Sequence, residues 1–148
     1  MTQFATAEAP IRQLYAHYAD AVWRKDVDAI GQCFTPDAEW RIEGMVLRGR
    51  SEIMTELDRS LKGVERTLVN FRTPQLELTG HRRGSGRVYV TEQYAWRTGP
   101  ATMTVGRYYE YYTDCGDRWR ISWRLVQVLY SGPTDMTGTF YEQASMLP

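Results

Sequence analysis

ADAVWRKDVDAIGQCFTPDAEWRIEGMVLR, residues 19–48, organises the rest of the chain. It opens as the end of one amphipathic helix, turns a tight corner, and continues as a short helix capped by Asp26. Val27, Ile30, Cys33 and Phe34 form the inner face of that second helix. Thr35-Pro36 is expected to stop it, because proline cannot continue a helix and holds its neighbour extended. Ala38 to Ile42 then alternates as a strand, turns at Glu43-Gly44 and returns through Val46 and Leu47.

Toward the N-terminus, Thr6 is read as a helix cap, with Pro10 early enough to be tolerated. Ile11, Leu14, Tyr15, Tyr18, Ala19 and Val22 recur at the three-and-four spacing of a buried helical stripe. Toward the C-terminus, Gly49-Arg50-Ser51 starts a third helix, with Ser51 as its cap and Ile53, Leu57 and Leu61 facing inward. From Gly63 the period changes to two. One long strand is expected from Val64 to Leu78, bent at Thr73-Pro74, then strands from Arg87 to Arg97 and Met103 to Thr113. The turn Asp114-Cys115-Gly116-Asp117 leads into a last strand, Arg118 to Leu129, and residues after Tyr130 read as an irregular tail. Three helices followed by long antiparallel strands predict an α+β fold, a single domain over residues 1–148 with helices on one face of a curved sheet.

Composition excludes several classes of function. Basic and acidic residues balance at 18 each, so nothing attracts a polyanion and nucleic acid is not expected as a partner. His81, Arg82, Arg83 and Arg87 surround Gly84-Ser85-Gly86 and read as a solvated turn. No apolar run approaches membrane-spanning length and no signal pattern opens the chain, so no membrane partner and a cytoplasmic location are expected. Cys33 and Cys115 have neither metal-ligand nor disulfide spacing, and no glycine-rich phosphate loop links a strand to a helix. Neither a metal nor another cofactor is expected.

The segments YADAVWRKDVDAI, CFTPDAEWRIEG with the following RGRSEI, and GRYYEYYTDCGDRWRI occur in order along the chain. Together they resemble the SnoaL-like group of the nuclear transport factor 2-like superfamily. That resemblance implies a cone-shaped, curved mixed sheet closed by three N-terminal helices around a pocket. Members include scytalone dehydratase, hexachlorocyclohexane dehydrochlorinase and polyketide cyclases, alongside non-catalytic subunits and binders. In the first two enzymes a helix-borne Asp pairs with a His to abstract a proton. Aligned through Asp37-Ala38-Glu39-Trp40, the Asp position falls on Trp23 and the His position at or near Val69, so the dyad is not carried over. The same alignment places Arg124 and Tyr108 in the pocket.

Strand alternation in the family register puts Val88, Val90, Glu92, Tyr94 and Trp96 on the inner face. Thr104, Gly106, Tyr108, Glu110 and Tyr112 share it, with Ser122, Arg124, Val126 and Val128. Three residues are candidates for catalysis: Glu92 as a base, Tyr108 as an oxyanion donor, and Arg124 as a clamp for a carboxylate or enolate. Tyr18, Trp23, Trp40, Val69 and Tyr94 are candidates for binding a flat, hydrophobic ligand. The structural alternatives are a sealed Glu92–Arg124 ion pair, satisfied tyrosines and plain aromatic packing. The opposite parity carries Tyr109, Tyr111, Trp119, Ile121, Trp123 and Leu125, an apolar outer face that predicts a symmetric homodimer. The expected function is a small-molecule pocket protein, read as a cofactor-free dehydratase, isomerase or cyclase acting on a hydrophobic cyclic or polyketide-like compound. A non-catalytic ligand binder and the small subunit of a ring-hydroxylating dioxygenase are the alternatives.

Overall fold

The computed structural model describes residues 3–141. Its helices are α1 (Gln3–Arg24), α2 (Val27–Gly31) and α3 (Arg50–Lys62). Its strands are β1 (Phe34–Ile42), β2 (Met45–Arg48), β3 (Val64–Phe71), β4 (Gln75–Gly80), β5 (Arg83–Trp96), β6 (Thr102–Asp114), β7 (Trp119–Pro133) and β8 (Thr139–Phe140). This is the expected α+β order: two helices, the β1–β2 hairpin, a third helix, and then the long strands of a curved sheet.

Local boundaries differ from the sequence reading in instructive ways. α1 already includes Thr6, which therefore does not cap it, while Ile11, Leu14, Tyr15, Tyr18 and Val22 are buried as the periodicity requires. Asp26 Oδ1 accepts from Ala29 N at 3.0 Å and caps α2. That helix ends at Gly31, so Phe34 belongs to β1 and Thr35-Pro36 lies inside a strand instead of separating helix from strand. Pro36 is tolerated because β1 runs parallel to β7 with a register break between Phe34 and Glu39, where a ladder N–H is not needed. The cap of α3 is Gly49, not Ser51, and its φ of 89° is one that glycine adopts without strain.

The expected long strand from Val64 is two strands, β3 and β4, and both pair antiparallel with β5. Arg83 and Gly84-Ser85-Gly86 sit in β5, not in a turn. A Cβ on Gly86 would lie 2.5 Å from the Tyr112 hydroxyl, so the glycine makes room for that buried ring. β7 continues to Pro133 and β8 pairs with it where an irregular tail was expected; residues 142–148 lie outside the described structure.

The sheet runs β2-β1-β7-β6-β5-β3 and is mixed, because β1 and β7 are parallel while its other neighbours are antiparallel. Tyr15 of α1 packs on Phe71 of β3 at 5.0 Å and Tyr18 of α1 on Phe34 of β1 at 6.2 Å, joining the helix to the inner sheet face. One bulge corrects the outer face. Tyr111 pairs with Trp123 but Tyr112 pairs with Ile121, so Ser122 is an extra residue and the parity flips. Ile121 is consequently inside at 0% exposure, and Trp119 also packs against the core. Tyr109, Tyr111 and Trp123 remain outside, whereas Leu125, expected on that exposed face, is buried at 4% exposure. No helix among the described residues is long and apolar enough to cross a membrane.

Candidate functional site

The curl of β1, β7, β6, β5 and β3 leaves a cavity of about 320 Å³, covered by α1 and α3. Its wall is mainly apolar: Val22, Ile42, Leu47, Leu57, Leu61, Val64, Val69, Val90, Val126 and Val128. Five aromatic residues, Tyr18, Trp40, Tyr94, Trp96 and Tyr108, complete it. Ser60 on α3 and Trp96 on β5 line the cavity and also reach solvent, marking its mouth.

Glu92 is half-buried in this wall. Tyr108 donates to its Oε1 at 2.7 Å, and Tyr94 donates to Oε2. Both tyrosines lie on the same inner face as Glu92. Two-residue spacing places Tyr94 beside it on β5, and the pairing of Val88 with Tyr108 brings the second ring across from β6. Burial, reinforced by the Glu92 charge, raises the pKa of both phenols, so each is a proton donor at neutral pH.

Arg124 and Trp23 are the two candidate residues that do not line the cavity. Arg124 does not pair with Glu92. Its Nε donates to Glu110 Oε2 at 2.6 Å, and both side chains are 0% exposed. The register explains the partner, since Glu110 on β6 stands directly opposite Arg124 on β7. The guanidinium lies 4.0 Å from the Tyr108 ring centre, 4.6 Å from Trp40 and 4.8 Å from Tyr18, so these rings screen it from the cavity. Burial works against its charge, but Glu110, then Tyr18 and Tyr108, holds its pKa well above the ordinary value. Arg124 Nη1 donates to the Tyr18 hydroxyl at 3.1 Å, and the tyrosine does line the cavity. Glu110 also accepts from Tyr15, whose hydroxyl contacts that of Tyr112. Trp23 is half-exposed on α1, with the Arg66 guanidinium 5.9 Å from its ring centre; its neighbour Val22 takes the cavity position.

The remaining candidates, Tyr18, Trp40, Val69, Glu92, Tyr94 and Tyr108, all line this cavity. The sequence reading missed Glu56 and Ser60 on α3 and Thr67 on β3, all of which line it. The four-residue spacing of Glu56 and Ser60 beside the inward Leu57 and Leu61 was the available signal. Neither His17 nor His81 lines the cavity; both are exposed. Among the described residues no group of acidic, histidine or cysteine side chains could hold a metal ion.

A SnoaL-like domain family matches residues 3–124. No curated protein matches the chain by sequence. Solved structures share the fold at low identity. A candidate scytalone dehydratase from Novosphingobium aromaticivorans superposes with a TM-score of 0.85 at 13% identity, over 99% of this chain and 100% of that one. A hexachlorocyclohexane dehydrochlorinase of type 2 gives 0.79 at 19% identity, covering 96% and 97%. A nuclear transport factor 2-like protein from Salmonella enterica subsp. enterica serovar Typhimurium str. LT2 gives 0.76 at 19% identity, covering 91% and 96%. With a family model matched over most of the chain, and with the curved sheet shared with these structures, this chain belongs to the SnoaL-like family.

Proposed function

We propose that the cavity binds a hydrophobic cyclic, polyketide-like compound and moves a proton on it without a cofactor, in a dehydration, isomerisation or cyclisation. The observation that carries this reading is Glu92, a carboxylate set in an apolar, aromatic cavity and held from both sides by Tyr94 and Tyr108. Glu92 takes the proton from carbon. Tyr108 and Tyr94 fix its orientation. Tyr18 accepts from Arg124, which leaves its own proton for a carbonyl oxygen that becomes an enolate. Arg124 is a positioning residue in this scheme, because it acts through Tyr18.

The test is exchange of the α-protons of cyclic ketones, β-tetralone among them, followed by NMR in deuterated buffer. The protein should accelerate exchange above buffer, and Glu92→Gln should lower that acceleration by about 10²-fold or more with the melting temperature nearly unchanged. A second reading, a non-catalytic binder, is favoured by the two tyrosine bonds that already satisfy Glu92. Binding of the ketones without acceleration of exchange by the wild-type protein would select it.

The outer sheet face supports a homodimer. Tyr111 stacks on Trp123 at 5.0 Å, and the Arg107 guanidinium lies 5.8 Å from the Tyr89 ring centre and 6.0 Å from that of Tyr109. Tyrosine, tryptophan and arginine are the residues enriched in interface cores and hot spots. Tyr111, 53% exposed, makes the cleanest test. Tyr111→Lys, which places a charge in the middle of this apolar face, should convert the dimer to monomer in light scattering at micromolar concentration. A wild-type protein already monomeric there would refute the dimer.

A further inference from the structure

The charges around the cavity do not balance. Glu92 on β5 and Glu110 on β6 are two carboxylates, one in the wall and one just behind it, and Arg124 on β7 is the buried cation beside Glu110. Arg124 is spent on Glu110 at 2.6 Å and is fully shut off from the cavity. At the mouth Glu56 is matched by Arg59, which leaves that pair neutral. No Lys, Arg or His lines the cavity among the described residues, and residues 1–2 and 142–148 contain none. Counted by formal charge, the inner site therefore has one carboxylate more than it has cations among the described residues.

A carboxylate in low-dielectric surroundings is costly without a counter-charge, and two tyrosine hydroxyls supply dipoles, not a charge. Glu92 also has room for more partners. A carboxylate offers about four acceptor positions, and Tyr94 and Tyr108 occupy two. The cavity that holds it is also lined by the aromatic rings of Tyr18, Trp40 and Trp96, together with the two tyrosines bonded to it. Aromatic faces beside a carboxylate form the surroundings that recognise an organic ammonium, through cation–π attraction and a charge-assisted hydrogen bond.

We infer that the ligand of this cavity is a hydrophobic cyclic amine, bound in its protonated form with the ammonium at Glu92 and the ring against the aromatic wall. This rests on the reading of Glu92 as the group that meets the ligand, and it narrows the compound class. It also removes the role first expected of Arg124, because a ligand carboxylate would meet Glu92 with no accessible cation to hold it.

Three compounds on one skeleton test the inference: β-aminotetralin, β-tetralol and tetralin-β-carboxylate, titrated into wild-type protein by calorimetry at neutral pH. The amine should bind at least about tenfold more tightly than the alcohol, and the carboxylate more weakly than either. Glu92→Gln should abolish the preference for the amine while keeping the affinity for the alcohol. Equal or tighter binding of the alcohol or the carboxylate, or no binding of any of the three, would overturn the inference. The wild-type comparison needs no variant, so a misfolded Glu92→Gln leaves the test intact. Failure here is separable from failure of the proton-transfer reading. Ketone exchange without amine preference overturns only the ligand class, and amine preference without exchange overturns only the chemistry.

Discussion

Replacing Glu110 by Gln is expected to destabilise the protein by about 3–5 kcal/mol, one of the two largest effects anticipated here. The substitution leaves Arg124 charged at 0% exposure and deprives it of the carboxylate 2.6 Å away. The Tyr18 hydroxyl at 3.1 Å and the surrounding rings cannot replace a full counter-charge. Arg124→Met should cost a similar amount, because it strands Glu110 with only tyrosine hydroxyls as donors. The double substitution Glu110→Gln with Arg124→Met should be milder than the sum of the two, since no buried charge is then left alone. Urea unfolding of the three variants measures this directly. A Glu110→Gln protein with the wild-type midpoint, or a double variant as unstable as the sum, would show that the pair is not sealed as described.

Alkaline pH should unfold the protein steeply. Tyr15, Tyr18, Tyr94, Tyr108 and Tyr112 all have phenols whose pKa burial raises, Tyr18 to about 12. In the unfolded chain each titrates near the ordinary value of about 10. Below that pH both states hold the proton and the groups contribute no pH dependence. Above it the unfolded state releases protons that the folded state keeps, so stability falls as pH rises, until the folded-state pKa values are reached. Each tyrosine removes roughly 1.4 kcal/mol per pH unit, so five of them exhaust a typical stability of about 5–15 kcal/mol within about one to two units. Tyr89 behaves oppositely, because its hydrogen bond from Arg107 lowers its pKa. Tyrosinate absorbance should therefore begin to rise from Tyr89 before circular dichroism changes, and then rise cooperatively with unfolding. A gradual titration of all tyrosines with the fold intact above pH 12 would contradict the burial described here.

The strand alternation of β5 and β6 was legible in the chain. It put Glu92, Tyr94 and Tyr108 on one face, and the structure has them bonded together there. The helical stripe through Tyr15 and Tyr18 was legible for the same reason, since a period in the sequence maps directly onto a face. Element ends were less so. Thr35-Pro36 looked like a helix stop, but the parallel pairing of β1 with β7 absorbed the proline in a register break. Ile121 looked exposed until the extra residue Ser122 turned it inward, and nothing local in RWRISWR marks that bulge.

By itself, then, the sequence determined the class of fold, the order of its elements and the inner face of its long strands, because those depend on local periodicity. Only the tertiary structure decided which carboxylate Arg124 would meet. Glu92 and Glu110 lie on inward faces at the same parity, and both were in principle within reach. The pairing of β6 with β7 sets Glu110 directly opposite Arg124. The pairing of β5 with β6 hands Glu92 to the Tyr108 hydroxyl instead. Which charge is neutralised, and which is left facing the cavity, is a property of strand register. Register is a long-range relation between segments, and a local pattern does not contain it.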